Sequence, residues 1–171
     1  MKMNLQAFQD PFLRRTDSIR PRPGCTVFDE IKLQPGPTIP RTFEHVADQK
    51  QQQLPKCQDE ILTPGAAVGL DEKNVIKHFY KDRNLRFVGF LAGQTELIAS
   101  VKVRGSILLR LEGVKPEDRG KPVYCSGPNE FSLTPGNGAA EVGVVRYQER
   151  DNFAAVSFRR FDDERPLNLK L

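Results

Sequence analysis

The sequence predicts an all-β protein, a small antiparallel barrel or sandwich with a long extended N-terminal arm. Three observations carry that prediction. From Thr63 onward the chain breaks into short runs rich in β-branched and aromatic residues, each bounded by Gly, Pro, Asn or Asp, which is the pattern of strands joined by tight turns. Asn137-Gly138 stands between two of these runs, and Asn-Gly supplies the positive φ angles of a two-residue hairpin. The first 60 residues are built differently: eight of the 13 prolines fall at or before Pro64, but only Gly24 and Gly36 of the 13 glycines lie in residues 1–60. Proline without glycine favours extended, semi-stiff backbone over tight turns. The chain therefore divides into a Pro-rich extended arm, 1–60, and a β-rich domain, 61–171.

Within the arm the large apolar residues are isolated, and their spacing sustains neither helix nor strand. Gln49 to Gln53 is a polar run with nothing to bury against the entropy of ordering. A disordered tail is one reading. However, the arm carries four phenylalanines, and disordered composition is poor in aromatics. The pattern better suits a segment that orders on a partner through single anchors, with Phe8, Phe12, Leu13, Phe28 and Phe43 as candidates. Residues 42–53 have the alternative of one short helix.

In the domain, Pro64-Gly65 is a turn and Ala66 to Leu70 a short strand. Val75 to Tyr80 reads as helix or strand, and its six residues favour strand. Leu85 to Leu91 is too apolar for one-sided burial, so it belongs in the centre with both faces covered. Leu97 to Val103 alternates, with Leu97, Ala99, Val101 and Val103 on one face. Gly105 marks a bend or bulge, and Ser106 to Leu111 continues as strand. Val114 to Gly120 is a loop or single helical turn. Pro122 cannot donate to a ladder and so starts a strand or lies on an edge. Strands over Lys121–Cys125, Phe131–Thr134, Glu141–Tyr147 and Phe153–Phe158 follow, and Arg159 to Leu171 is a polar tail. Eight or nine short strands at this spacing read as a sandwich or small barrel.

Composition narrows the function classes. The chain is 38% hydrophobic and 28% charged, and its formal charge of +4 is spread among nearly balanced acids and bases. Duplex-binding domains concentrate positive charge on one face, but here only Arg14-Arg15 and Arg159-Arg160 are tight pairs. Both read as solvated surface, and the second is followed at once by Asp162, Asp163 and Glu164, which read as a solvated acidic tail rather than a cation site. Phe87, Phe90, Tyr124 and Tyr147 are the residues a single-strand-binding barrel would use to stack bases, although their apolar surroundings favour burial. Cys25, Cys57 and Cys125 are odd in number and far apart, which predicts free thiols rather than a zinc site or a disulfide framework. No secretory signal and no bilayer-spanning run of roughly 20 apolar residues is expected. His45 and His78 have no nucleophile-elbow or His-x-x-x-His context, and Gly136-Asn137-Gly138 lacks a phosphate loop's later Gly or Lys. No catalytic residue, metal or cofactor is expected.

The domain's segments resemble a known family, the small β-rich decoration, or cement, proteins of tailed-bacteriophage capsids. The resemblance runs through Pro64-Gly65-Ala66-Ala67-Val68-Gly69-Leu70, Arg86-Phe87-Val88-Gly89-Phe90-Leu91 and Val101-Lys102-Val103-Arg104-Gly105-Ser106-Ile107. It continues in Gly120-Lys121-Pro122-Val123-Tyr124, Gly143-Val144-Val145 and Val156-Ser157-Phe158. Lys121 stands where the family often has Asp, a surface turn position. The resemblance covers the domain and not the arm. It implies a non-enzymatic structural virion protein made in the host cytoplasm and placed on the outer capsid surface. The implied partner is the major capsid protein, with the chain a homo-oligomer, dimer or trimer, and with no direct contact to nucleic acid or membrane. The alternatives are a single-stranded nucleic-acid-binding β-barrel and a phage tail or baseplate adaptor.

Overall fold

The structure, a computed structural model, describes residues 43–44 and 48–167. Phe8, Phe12, Leu13, Phe28, Cys25, His45 and Arg14-Arg15 lie outside that set. Ten strands form one antiparallel sheet: β1 (Phe43–Glu44), β2 (Lys50–Pro55), β3 (Ala67–Leu70), β4 (Ile76–His78), β5 (Arg86–Gln94), β6 (Ile98–Arg110), β7 (Pro122–Gly127), β8 (Glu130–Ser132), β9 (Ala140–Arg150) and β10 (Phe153–Arg159). Among the described residues, one 3₁₀ turn, at Pro116–Asp118, interrupts them. The strand order is β4-β3-β5-β6-β10-β9-β7-β8, with β1 and β2 added on β6. The sheet curls into a half-barrel. The curl carries its ends together, where Ala67 N–H donates to Pro128 O at 2.9 Å and Lys81 N–H donates to Ser126 O at 3.1 Å.

β6 is the spine. β2 and β5 pair with its first half, β1 and β10 with its second. In an unbroken strand alternate residues share a face, yet Ala99, Val101 and Val103 join one apolar cluster while Ile107 and Leu109 join another. The strand changes the face it turns to each core near Gly105, whose φ of +148° suits glycine. The register against β2 slips close by, between Lys50 and Gln51. Such a bend lets one strand serve two packed layers.

The larger core fills the curl with Phe79, Phe87, Phe90, Ile107, Leu109, Val123, Val145, Val156 and Phe158. Phe90 is its centre, with ring centroids 4.8 Å from Phe158, 5.6 Å from Phe87 and 5.8 Å from Phe131. The second core lies on the other face of β5: neighbours Phe87 and Val88, like Phe90 and Leu91, point to opposite sides and join different clusters. Leu62, Val68, Leu70, Ile76, Val88, Leu91 and Val101 build it. The expected two-sided burial of residues 85–91 is thus met.

Several expectations are corrected. Asn137-Gly138 is no two-residue hairpin; it lies in the connection 133–139, because β7 sits between β8 and β9 and the chain must pass around it. Two-residue turns lie instead at Pro128-Asn129, between β7 and β8, and at Asp151-Asn152, between β9 and β10, where Asn152 has φ +62°. Residues 50–53 are strand rather than helix or unordered chain: the backbone ladder to β6 orders them, and Gln51 and Gln53 amides donate to Ser100 Oγ. The sheet therefore includes residues that the sequence division assigns to the arm. Leu97 is 53% exposed rather than facing inward with Ala99, since it lies in the turn before β6 begins. Cys57 is disulfide-bonded rather than a free thiol, whereas Cys125 is a buried thiol outside any disulfide, with its Sγ 3.0 Å from Gly127 O.

Candidate functional site: a strap over the second core and its polar fastening

Residues 56–63, Lys-Cys-Gln-Asp-Glu-Ile-Leu-Thr, connect β2 to the turn before β3 without forming a strand. This strap lies along the outer side of β4 and β5. Leu62 enters the second core beside Val68, Ile76 and Leu91. Its backbone is fastened along its length: Lys56 N–H to Leu97 O at 3.1 Å, Cys57 N–H to Ile76 O at 3.2 Å, and Leu62 N–H to the Gln94 side-chain oxygen at 3.1 Å. Lys56, itself buried, turns its ammonium back to donate to the carbonyls of Cys57 at 3.1 Å and Glu60 at 2.9 Å.

At the middle of the strap a buried polar cluster forms. His78 shares a strand face with Ile76, two residues earlier on β4, and so points under the strap with no solvent exposure. Its Nδ1 lies 2.8 Å from Glu60 Oε1, and its backbone N–H donates to the same oxygen at 3.0 Å. Thr63 N–H donates to Nε2 at 2.9 Å. A backbone N–H can only donate, so Nε2 is the acceptor and the ring proton sits on Nδ1. Arg83 closes the cluster, donating to Glu60 Oε1 at 3.3 Å and to His78 O at 3.2 Å. Burial raises the Glu60 pKa, but the hydrogen bonds from the His78 ring and amide and the Arg83 charge outweigh it. The net position is below the ordinary 4.5. In this arrangement both ring nitrogens are engaged within the chain. As arranged, the cluster fastens the strap.

A second polar hub sits at the β6 bend. Arg104, buried beside Gly105, donates to Asp163 Oδ2 at 3.2 Å and to Pro166 O at 2.7 Å, and its Nε lies 3.3 Å from Asp48 Oδ2. It ties the segment before β2 and the segment after β10 to the spine. Asp163 is therefore held rather than freely solvated. The Arg165 side chain leads in pulling its carboxyl well below the usual range, with Arg104 contributing and burial opposing. Arg160 likewise pairs with Asp162 at 2.8 Å and donates to Gln52 at 2.9 Å. Among the described residues, no cluster of His, Cys, Asp or Glu is grouped to hold a metal ion.

The surface presents Leu97 and Ile98 at the β5–β6 turn, 53% and 43% exposed. Phe161, 43% exposed, has the guanidinium carbons of Arg86 and Arg160 at 4.8 and 5.3 Å from its ring centre. Of the five candidate anchors, only Phe43 is described. It pairs with Ile107 and packs half-buried against the larger core, with Lys102 Nζ 5.9 Å from its ring centre. Phe87 and Phe90 are buried in the core and offer no face to a base, while Tyr124 and Tyr147 are half-buried.

Sequence reasoning missed the Glu60–His78 fastening because it placed Glu60 in the arm. The available signals were His78 two residues after Ile76 in a strand, and Glu60 set directly before Ile61-Leu62. The alternation of residues 97–103 also sets Arg104 on the face of Ile98, Ser100 and Lys102, and it does not reveal that Asp48, Asp163 and Pro166 cover it there. No protein-family model, curated protein or solved structure matches the chain.

Proposed function

We propose that this is a structural virion protein that binds the outside of a tailed-phage capsid and stabilises contacts between major capsid subunits. The observation that supports it best is where the resembling segments fall. All six, from Pro64–Leu70 to Val156–Phe158, include residues of β3, β5, β6, β7, β9 or β10, which belong to one curled sheet. Two of their glycines are also demanded by close packing: a Cβ on Gly89 would stand 1.9 Å from Lys102 O, and one on Gly143 2.0 Å from Ser157 O. The segments that carry the likeness are therefore the frame of the fold.

In this role the strand-built body supplies a rigid contact and homo-oligomer surface. The N-terminal residues, with Phe8, Phe12, Leu13 and Phe28, extend the contact across neighbouring subunits. Many weak contacts on a repeating lattice sum through multivalency, and each full interface should bury more than roughly 1,000 Å².

Co-sedimentation with purified expanded capsids tests the proposal. The full chain is expected to bind saturably, and the triple substitution Phe8→Ala, Phe12→Ala, Leu13→Ala to weaken binding by at least about tenfold, the loss of roughly one anchor's 1.4 kcal/mol. A triple variant that binds like the parent removes the arm from the mechanism. A full chain that leaves capsids bare, or that is found only on tails, overturns the decoration reading.

A further inference from the structure

We infer that the contact of His78 with Thr63 is an acid-released latch on the strap, opened when the imidazole takes up a second proton. The inference stands on geometry and is independent of the capsid reading. In the closed state the ring donates from Nδ1 to Glu60 and accepts at Nε2 from Thr63 N–H, 2.9 Å away. A proton added at Nε2 would set two donors against each other at that distance. Neither can rotate into an acceptor role, so Thr63 must withdraw. The Nδ1–H···Glu60 bond survives, because it gains charge assistance from the imidazolium.

The groups around the ring decide what titrates. From the strap come Glu60 and the buried Lys56 and Asp59; from the turn after β4 comes Arg83; β4 carries Lys77, paired with Asp71 at 3.3 Å. Lys56 and Arg83 hold hydrogen bonds as cations. Glu60 and Asp71 both lie below their ordinary carboxylate values, so they stay ionised while an imidazole charges. Of these groups the ring is the one whose proton uptake would break a hydrogen bond already made, at Nε2. The release is local: it frees the end of the strap at Thr63, while the Lys56, Cys57 and Leu62–Gln94 fastenings remain.

Backbone amide hydrogen exchange of the full chain, corrected for intrinsic rates, tests it. One proton taken up on opening makes the Thr63 opening constant rise about tenfold per pH unit as the solution is acidified. The same rise is expected in His45→Gln. In His78→Gln, whose side-chain amide can donate to Glu60 and accept from Thr63, the slope should vanish. A flat Thr63 profile in the parent, or an unchanged slope in His78→Gln, overturns the latch. If His78→Gln fails to fold, the parent still decides by long-range proton–nitrogen NMR of the ring at neutral pH. Protonated Nδ1 and bare Nε2 support the latch, and the opposite tautomer overturns it.

Discussion

At the scale of single residues, the fold makes its sharpest demands where backbone meets backbone. Gly89 and Gly143 sit where any side chain would enter a neighbouring carbonyl, whereas Gly93 on the same strand as Gly89 has nothing within 4 Å of its missing Cβ. We predict that Gly89→Ala or Gly143→Ala costs about 3 kcal/mol in denaturant unfolding, and that Gly93→Ala changes stability by less than about 1 kcal/mol. Equal effects at all three positions would contradict the close approach. Glu60 contributes to the acid side of stability, beside Asp71 and Asp163, whose carboxyls are also held low. Its carboxyl is lowered in the folded state, so its contribution is present above the unfolded value of 4.5 and is lost as pH falls through the folded one. Glu60→Gln should flatten the fall in unfolding free energy below about pH 4.5, and an acid limb as steep as the parent's would count against the cluster. These residues were only partly legible in the sequence. Glycine in a strand signals a close approach but not which glycine is crowded, and a carboxylate before two aliphatics does not name its histidine.

At the scale of elements, β6 and the strap organise the rest. Strand identity was readable where alternation or apolar density was strong, as in Arg86–Leu91 and Val101–Ile107, because two-residue periodicity reflects burial directly. It failed where pairing rather than side chains stabilises the strand. Lys50–Gln53 buries almost nothing and is ordered by its ladder to β6, which no local pattern reveals. It failed too at Asn137-Gly138, whose turn chemistry is sound but whose flanking strands are not neighbours. The Arg104 hub makes a prediction at this scale. Truncating a buried arginine leaves partners on two chain segments unsatisfied, so Arg104→Ala should cost about 3 kcal/mol, measured by urea unfolding. Asp162→Asn, at an exposed pair, should stay within about 0.5 kcal/mol of the parent. Should Arg104→Ala prove as mild as Asp162→Asn, the hub would be a surface contact.

At the scale of the whole molecule, one sheet curled on itself leaves two cores, one inside the curl and one outside it under the strap. The all-β class was legible from turn spacing, since Gly, Pro, Asn and Asp punctuate each run. The curl, the meeting of its ends at Ala67 and Pro128, and the strap depend on contacts far apart in sequence and left no local trace. The centre of the inner core offers a global test. Phe90→Ala removes the ring against which three other aromatic rings pack, and about 4 kcal/mol of stability should go with it. A loss under about 1 kcal/mol would mean that the curl is not closed around that ring. The proposed capsid role would load this multiply fastened body mechanically. Cryo-electron microscopy of expanded capsids mixed with the full chain tests that role most directly. The proposed function predicts ordered density for the half-barrel on the outer shell where capsid subunits meet, with the N-terminal residues running onto a neighbouring subunit; shells that stay bare at saturating protein would contradict it.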